Sequence, residues 1–206
     1  MTTFHDRDPL LAEIEAHVAA GQAATDLLGP LRRAGTALCT VFETGGRLYT
    51  FGNGGSAADA QHLAAEFVGR FRRERPPLPA MALTTDPSVV SCIGNDYSFD
   101  ALFARQVQAF ARPGDMVAAF TTSGRSPNVV AGLATARACG ATTLLFGAGD
   151  GGPASPFADH RLLVPAAGTA RIQEVHLLLL HLLSEVVDAW AASSSSPPML
   201  YGSAIQ

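Results

Sequence analysis

Two pairs of polar residues stand at helical spacing in otherwise apolar stretches of this chain. In the run Asp59-Ala60-Gln61-His62-Leu63-Ala64-Ala65-Glu66, His62 and Glu66 are four residues apart and share a helix face, with Asp59 one turn before His62. Between Ala170 and Trp190, Gln173 and His181 are eight residues apart, a little over two turns, and again share a face. A carboxylate and an imidazole are the groups that take and return protons near neutral pH, so Glu66 and His181 are the candidate base and acid. His176 lies about 140° around the axis from His181 at about 100° per residue and is read as structural. A histidine in so apolar a run as Val175 to Val187 is ordinarily a satisfied core residue. A polar side chain on the inward face of a Leu-rich helix nevertheless costs free energy unless it has a partner, and a ligand or a metal ion is one such partner.

Two loops supply something for these groups to act on. Gly52-Asn53-Gly54-Gly55-Ser56 follows the β-rich segment Arg47 to Phe51 and precedes an alanine-rich helical stretch reaching about Val68. Its glycines let the backbone bring N–H groups close to an anion, and the following helix adds its positive end. Thr121-Thr122-Ser123-Gly124-Arg125-Ser126 sits in the same place after a second strand, with Ser126 as N-cap and Pro127 as the first helical residue. Together they form a phosphate cradle built from amides and hydroxyls with no cation. The spacing of a dinucleotide fingerprint is absent, as is the lysine of a Walker A loop, so a small phosphorylated ligand is favoured over a nucleotide.

The elements that must position these residues follow an alternating grammar. Apolar residues from Pro9 to about Thr44 recur at helical spacing and predict two helices broken at Gly29-Pro30. Strands are expected at Arg47 to Phe51, Ala80 to Thr84, Met116 to Phe120, Thr142 to Phe146 and Leu162 to Val164. Helices are expected from Gly55 to Val68, around Phe99 to Phe110, from Pro127 to Cys139 and from Ala170 to Trp190. Five strands alternating with helices indicate an α/β fold, a parallel sheet covered on both faces with ligands at the carboxyl ends of its strands. The division expected is an N-terminal helical extension over residues 1–44, a single domain over 45–192 and a flexible Ser- and Pro-rich tail over 193–206.

Composition narrows the function further. The chain carries a net charge of −4, and all 14 basic residues are arginine, which argues against an extended nucleic-acid surface. The cluster Arg70, Arg72, Arg73 and Arg75 could meet an anion but reads more readily as a solvated loop face. Without lysine there is no Schiff-base chemistry. No apolar run approaches the ~20 residues of a membrane span, and the charged start lacks the apolar core of a signal peptide, so a cytoplasmic protein is expected. Cys39, Cys92 and Cys139 stand singly in apolar surroundings and read as buried free thiols.

Taken together, Gly52 to Ser56, Asp59 to Glu66, Gly94-Asn95-Asp96, Thr121 to Ser126, Arg171-Ile172-Gln173-Glu174-Val175-His176 and His181 resemble the phosphoheptose isomerase family of sugar isomerase (SIS) domain proteins, over Leu10 to Trp190. The resemblance implies a flavodoxin-like three-layer sandwich and conversion of sedoheptulose 7-phosphate to D-glycero-D-manno-heptose 7-phosphate through an enediol. It implies that Glu66 and His181 are catalytic, and that His62, Glu66, Gln173 and His181 hold one zinc ion per subunit. It also implies that Asn53, Gly54, Gly55, Ser56, Glu66, Asn95, Asp96, Thr121, Thr122, Ser123, Ser126 and Gln173 contact substrate, in a homotetramer with sites at subunit boundaries. The chain departs from the family pattern at Ala170, where an acidic residue is common, and in a shortened loop over Ala166 to Thr169. Parts of it also resemble a non-enzymatic SIS relative that binds the bacterial replication initiator. The pair Glu66 and His181 separates the enzyme reading from a regulatory phosphosugar-binding one.

Overall fold

The computed structural model describes residues 8–193; the segment before Asp8 and residues 194–206 of the tail expected to be flexible lie outside the described residues, and Ser193 ends the last helix. The chain forms α1 (Pro9–Ala23), α2 (Leu28–Glu43), β1 (Leu48–Gly52), α3 (Gly55–Val68), β2 (Ala80–Ala82), α4 (Pro87–Asp96), α5 (Leu102–Phe110), β3 (Met116–Phe120), α6 (Pro127–Ala138), β4 (Thr142–Ala148), β5 (His160–Val164) and α7 (Thr169–Ser193). The strands make one sheet in the order β2-β1-β3-β4-β5. Every pairing is parallel, for example Leu48 with Met116 and Met116 with Thr142.

Because side chains alternate across a strand, each strand serves two cores. Leu48, Met116, Ala118, Phe120, Leu144, Phe146 and Leu162 point to one face and pack with Leu38 of α2, Leu63 and Phe67 of α3, and Leu179, Leu180 and Leu183 of α7. Tyr49, Phe51, Val117, Ala119 and Leu145 point to the other and meet Phe103 and Val107 of α5 and Val129 and Leu133 of α6. Every residue of β1 and β3 is buried, which is why these strands read as continuous apolar runs. The apolar length of α7 would suit a membrane span, but half of its most apolar window is buried inside the protein, against the sheet and its neighbouring helices.

The five strands and the parallel sheet follow the sequence expectation, and the differences have local causes. The first two helices are separated by a 3₁₀ turn at Ala24–Leu27, not at Gly29-Pro30. Pro30 is the third residue of α2, where backbone N–H groups have no partner within the helix and a proline is tolerated. Strand β2 stops at Ala82, short of Thr84, and α4 follows where no helix was expected. Asp86 caps it, its carboxylate accepting the N–H of Ser88 (2.9 Å) and Val89 (3.1 Å), with Pro87 at the first helical position. Strand β5 begins at His160, two residues before the expected Leu162, and β4 runs on to Ala148. Of the three free thiols, only Cys39 is buried; Cys139 is half-buried and Cys92 is exposed on α4, contrary to the sequence reading. Of the arginine cluster, Arg70, Arg72 and Arg73 are exposed as a solvated face would have them, the last two pairing with Glu185 of α7, whereas Arg75 is buried.

His176 is fully buried on α7, as its angular offset from His181 predicts. Its ring stands edge-on to Phe120 (6.0 Å) and Phe146 (6.1 Å), and Nε2 lies 3.0 Å from the carbonyl oxygen of Gly147. Burial pushes its imidazole down to about 4, against the opposing pull of the Gly147 carbonyl. The native protein therefore binds fewer protons here than the unfolded chain between pH 4 and 6.5, and stability falls as pH drops through that window. The contribution is complete above pH 6.5 and amounts to about 3 kcal/mol. Denaturation at pH 7 and pH 4.5 will show a smaller acid loss for His176→Gln than for the wild-type protein.

The loop after β3 turns at Gly124, whose φ of +65° is left-handed and whose missing Cβ would fall 2.1 Å from the carbonyl oxygen of Gly151. Only glycine fits there, and the loop after β4 presses directly on it, with the Ala154 N–H bonded to the Gly124 carbonyl (3.1 Å). Gly124→Ala will destabilise the fold by about 2 kcal/mol or more, measured by denaturant unfolding.

Candidate active site

At the carboxyl ends of β1 and β3 lies an open cavity of about 260 Å³, lined by Asn53, Gly54, Gly55, Ser56, Phe120, Thr121, Thr122, Ser123, Ser126, Thr169 and Gln173. The N-termini of α3, α6 and α7 all meet it, through Gly55, Ser126 and Thr169. No lining residue is charged, so an anion there is held by helix ends, amides and hydroxyls alone. Ser126 takes the N-cap position, with its carbonyl accepting from Val129 and Val130 (both 3.0 Å), while its hydroxyl makes no capping bond. Thr121 and Ser123 spend one lone pair each on the loop itself, accepting from the N–H of Gly124 (3.1 Å) and Arg125 (3.2 Å), and keep their O–H groups for donation.

The two loops are locked together by a residue that sequence reasoning did not single out. Asn128 is 1% exposed and exchanges two hydrogen bonds with Asn53, Nδ2 of Asn53 to Oδ1 of Asn128 (2.8 Å) and the reverse (2.9 Å). The pairing fixes the Asn53 side chain in direction and leaves it one Nδ2–H and its backbone N–H for a ligand. Thr169 was also missed. Its position at the first turn of α7 became legible only once that helix was seen to start one residue earlier than Ala170. Gln173 lies against Gly55, its amide atoms 2.7 Å from where a Cβ would stand, so the glycine is what admits the glutamine to the cavity.

Further along the two helices α3 packs on α7 and brings three titratable side chains together. Nε2 of His62 is 2.9 Å from Oε1 of Glu66, and Nε2 of His181 is 3.3 Å from Nε2 of His62. Phe71 stacks on the His181 ring at 5.7 Å. Burial, with smaller contributions from His62 and Arg72, holds the His181 imidazole below its ordinary value despite Glu66, so it is neutral at pH 7. Asp59, one turn before His62, has a carboxylate oxygen buried without a protein partner, and burial raises its carboxyl to about 6.

The cluster suits a metal ion. One ligand atom from each of His62, Glu66 and His181 lies within 4.8 Å of the others. A single proton cannot satisfy two facing imidazole nitrogens and a carboxylate oxygen together, whereas a shared cation can. Two nitrogens bound at ~2.0–2.1 Å in tetrahedral geometry stand about 3.3 Å apart, the spacing already present. Gln173, the fourth ligand expected, lines the cavity.

Two expected site residues are not brought to the cavity within one chain. Asn95 and Asp96 lie exposed at the end of α4, where Asn95 Nδ2 donates to Asp96 Oδ1 (2.7 Å) and Asp96 Oδ2 is 3.4 Å from the Cys92 thiol.

The SIS domain family model matches residues 14–147. A phosphoheptose isomerase of Solidesulfovibrio magneticus is 52% identical over 174 residues, spanning 84% of this chain and 85% of that protein. The solved phosphoheptose isomerase GmhA from Neisseria gonorrhoeae superposes with a TM-score of 0.83 at 38% identity, over 87% of this chain and 97% of its own. That from Francisella tularensis gives 0.85 at 32%, over 92% and 100%. A match of this extent in both sequence and fold places the chain in the phosphoheptose isomerase family of SIS-domain proteins.

Proposed function

We propose that the chain is a cytoplasmic aldose–ketose isomerase that converts sedoheptulose 7-phosphate to D-glycero-D-manno-heptose 7-phosphate, with Glu66 as base and His181 as its proton-handling partner. The observation that carries this reading is that α3 and α7, whose N-termini line an uncharged cavity, also bring a carboxylate and two imidazoles together further along their lengths. A substrate with its phosphate at one end of the carbon chain and its reacting carbons at the other would place the first in the cavity and the second at the cluster. A regulatory protein that only binds a phosphosugar has no use for the cluster.

Moving a carbonyl from C2 to C1 needs a proton taken from C1 and one returned to C2. Glu66 takes the C1 proton and later delivers it to C2. His181 donates to O2 as charge develops there and accepts from O1 as the aldehyde forms, so the two groups end as they began. Each such role is worth about 10²–10⁴-fold in rate. Zinc held by His62, Glu66 and His181, with Gln173 as the further candidate ligand, supplies polarisation of the carbonyl when bound. Substrate contacts are assigned to Asn53, Gly54, Gly55, Ser56, Thr121, Thr122, Ser123 and Ser126 at the phosphate end.

Asn95 and Asp96 are assigned to the site of a neighbouring copy in a homotetramer. What supports assembly is their distance in the fold from their own cavity, together with exposed apolar residues Leu10, Ile14 and Val18 along one stripe of α1 and Leu177 and Leu178 on α7.

Incubation of the protein with sedoheptulose 7-phosphate will yield the aldose, and Glu66→Gln or His181→Ala will lower kcat by about 10²-fold or more. Absence of turnover by the wild-type protein, with or without zinc, would sink the assignment. Zinc at a hundredfold excess over its Kd will stabilise the metal-free protein by about 2.7 kcal/mol in denaturant titrations, and His181→Ala will abolish most of this gain. An unchanged zinc effect in that variant would move the metal elsewhere.

A further inference from the structure

A second contact joins the segment after α3 to α7 below the proposed site. Arg75 and Asp188 form an ion pair whose side chains are 0% and 1% exposed, with Nε 3.2 Å from Oδ1. The rest of the Arg75 guanidinium is spent on carbonyls at the C-terminal end of α3 and in the segment after it. Nη2 donates to the carbonyl of Glu66 (2.6 Å), and Nη1 to those of Phe67 (2.8 Å), Pro76 (2.9 Å) and Gly69 (3.3 Å). The other oxygen of Asp188 accepts the backbone N–H of Arg73 (2.9 Å) and Arg72 (3.3 Å) and Nη1 of Arg73 (3.3 Å). Burial would raise the Asp188 carboxyl, but these donors outweigh it and hold it below the ordinary value.

Placement gives this pair its meaning. The last carbonyls of a helix have no partners within it, and a cation there also meets the negative end of the helix dipole. One of the carbonyls fixed is that of Glu66 itself. Asp188 follows His181 by seven residues, on the same stripe of α7 and about 10 Å further along. The end of α3 is therefore tied to α7 at two levels, directly by His62 and His181 at the site, and beneath it through Arg75 of the following segment, which holds the Glu66 and Phe67 carbonyls and pairs with Asp188. A buried ion pair is a poor source of net stability, since apolar residues of equal volume serve as well or better. What arginine offers in their place is a rigid fork that fixes several acceptors in direction at once.

We propose that Arg75 and Asp188 are positioning residues, a clamp that fixes the Glu66 turn of α3 against α7 and thereby sets Glu66 and His62 relative to His181. The proposal rests on reading Glu66 and His181 as the reacting pair. A displacement of about 1 Å in a reacting group costs on the order of a hundredfold in rate. The phosphate cavity is formed by the opposite ends of these helices, so the clamp governs turnover more than substrate affinity.

Arg75→Lys keeps the charge, but its single ammonium cannot reach four carbonyls and Asp188 together. For this variant kcat with sedoheptulose 7-phosphate will fall by about tenfold to a hundredfold while KM stays within about threefold. Calorimetric titration of the metal-free variant with zinc alone will show at least about tenfold weaker binding. Leu133→Ala, in the core on the other face of the sheet, serves as a destabilised control and will keep wild-type kcat and zinc affinity well below its melting temperature. Should Arg75→Lys fail to fold, Asp188→Asn, which preserves shape, takes its place in both measurements. A folded clamp variant with wild-type kcat and zinc affinity would overturn the proposal, as would equal losses in Leu133→Ala. A wild-type protein that binds zinc but does not turn over the sugar would instead defeat the isomerase reading, and the zinc comparison would still judge the clamp.

Discussion

The site depends above all on the packing of α3 against α7. Leu63 and Phe67 on one helix and Leu179, Leu180 and Leu183 on the other are at most 1% exposed in a shared core with the sheet. Burial of apolar surface on that scale is the dominant force holding the helices together. The polar residues between the two apolar stripes are then brought within a few ångströms of one another, at a cost that hydrogen bonding repays only in part. His62, Glu66 and His181 are a set of groups left facing each other with more lone pairs than protons. An arrangement of that kind is kept for a ligand, not for the fold.

Charge is distributed to suit this. Four arginines on and beside α3 and α7 are paired within the protein, Arg72 and Arg73 with Glu185, Arg75 with Asp188, and Arg171 with Glu13 and Glu174, while Arg125 in the loop after β3 is exposed. The phosphate cavity is left to three helix N-termini, glycine amides and hydroxyls. On the proposed reading, such a site would select a small phosphorylated ligand by shape and hydrogen-bond direction more than by net attraction, in keeping with a chain that is acidic overall.

Much of this was legible in the sequence because a sheet buried on both faces writes itself as apolar strands between glycine or hydroxyl loops and amphipathic helices. Both loops, the strand count and the shared faces of His62 with Glu66 and Gln173 with His181 could be read from spacing alone. The contact between those two faces could not, because it depends on how helices far apart in sequence cross. The same holds for Asn128, whose pairing with Asn53 spans two loops, and for Arg75, which looked like one member of a surface cluster and is a buried clamp. Helix α4 was missed for a different reason. Its start signal, Asp86-Pro87, was present in the sequence, but the segment was read only for its Gly94-Asn95-Asp96 motif. Pro30 misled by being placed where a helix tolerates proline.

The central claim is that Glu66 and His181, carried on different helices, act as one unit on one substrate. It is tested most directly by comparing kcat/KM for sedoheptulose 7-phosphate among the wild-type protein, Glu66→Gln, His181→Ala and the double variant. Groups that act as a unit are strongly non-additive, so the double variant should fall no further than the poorer single one, within a few-fold. Losses that multiply would mean the two side chains contribute independently, and would contradict the account.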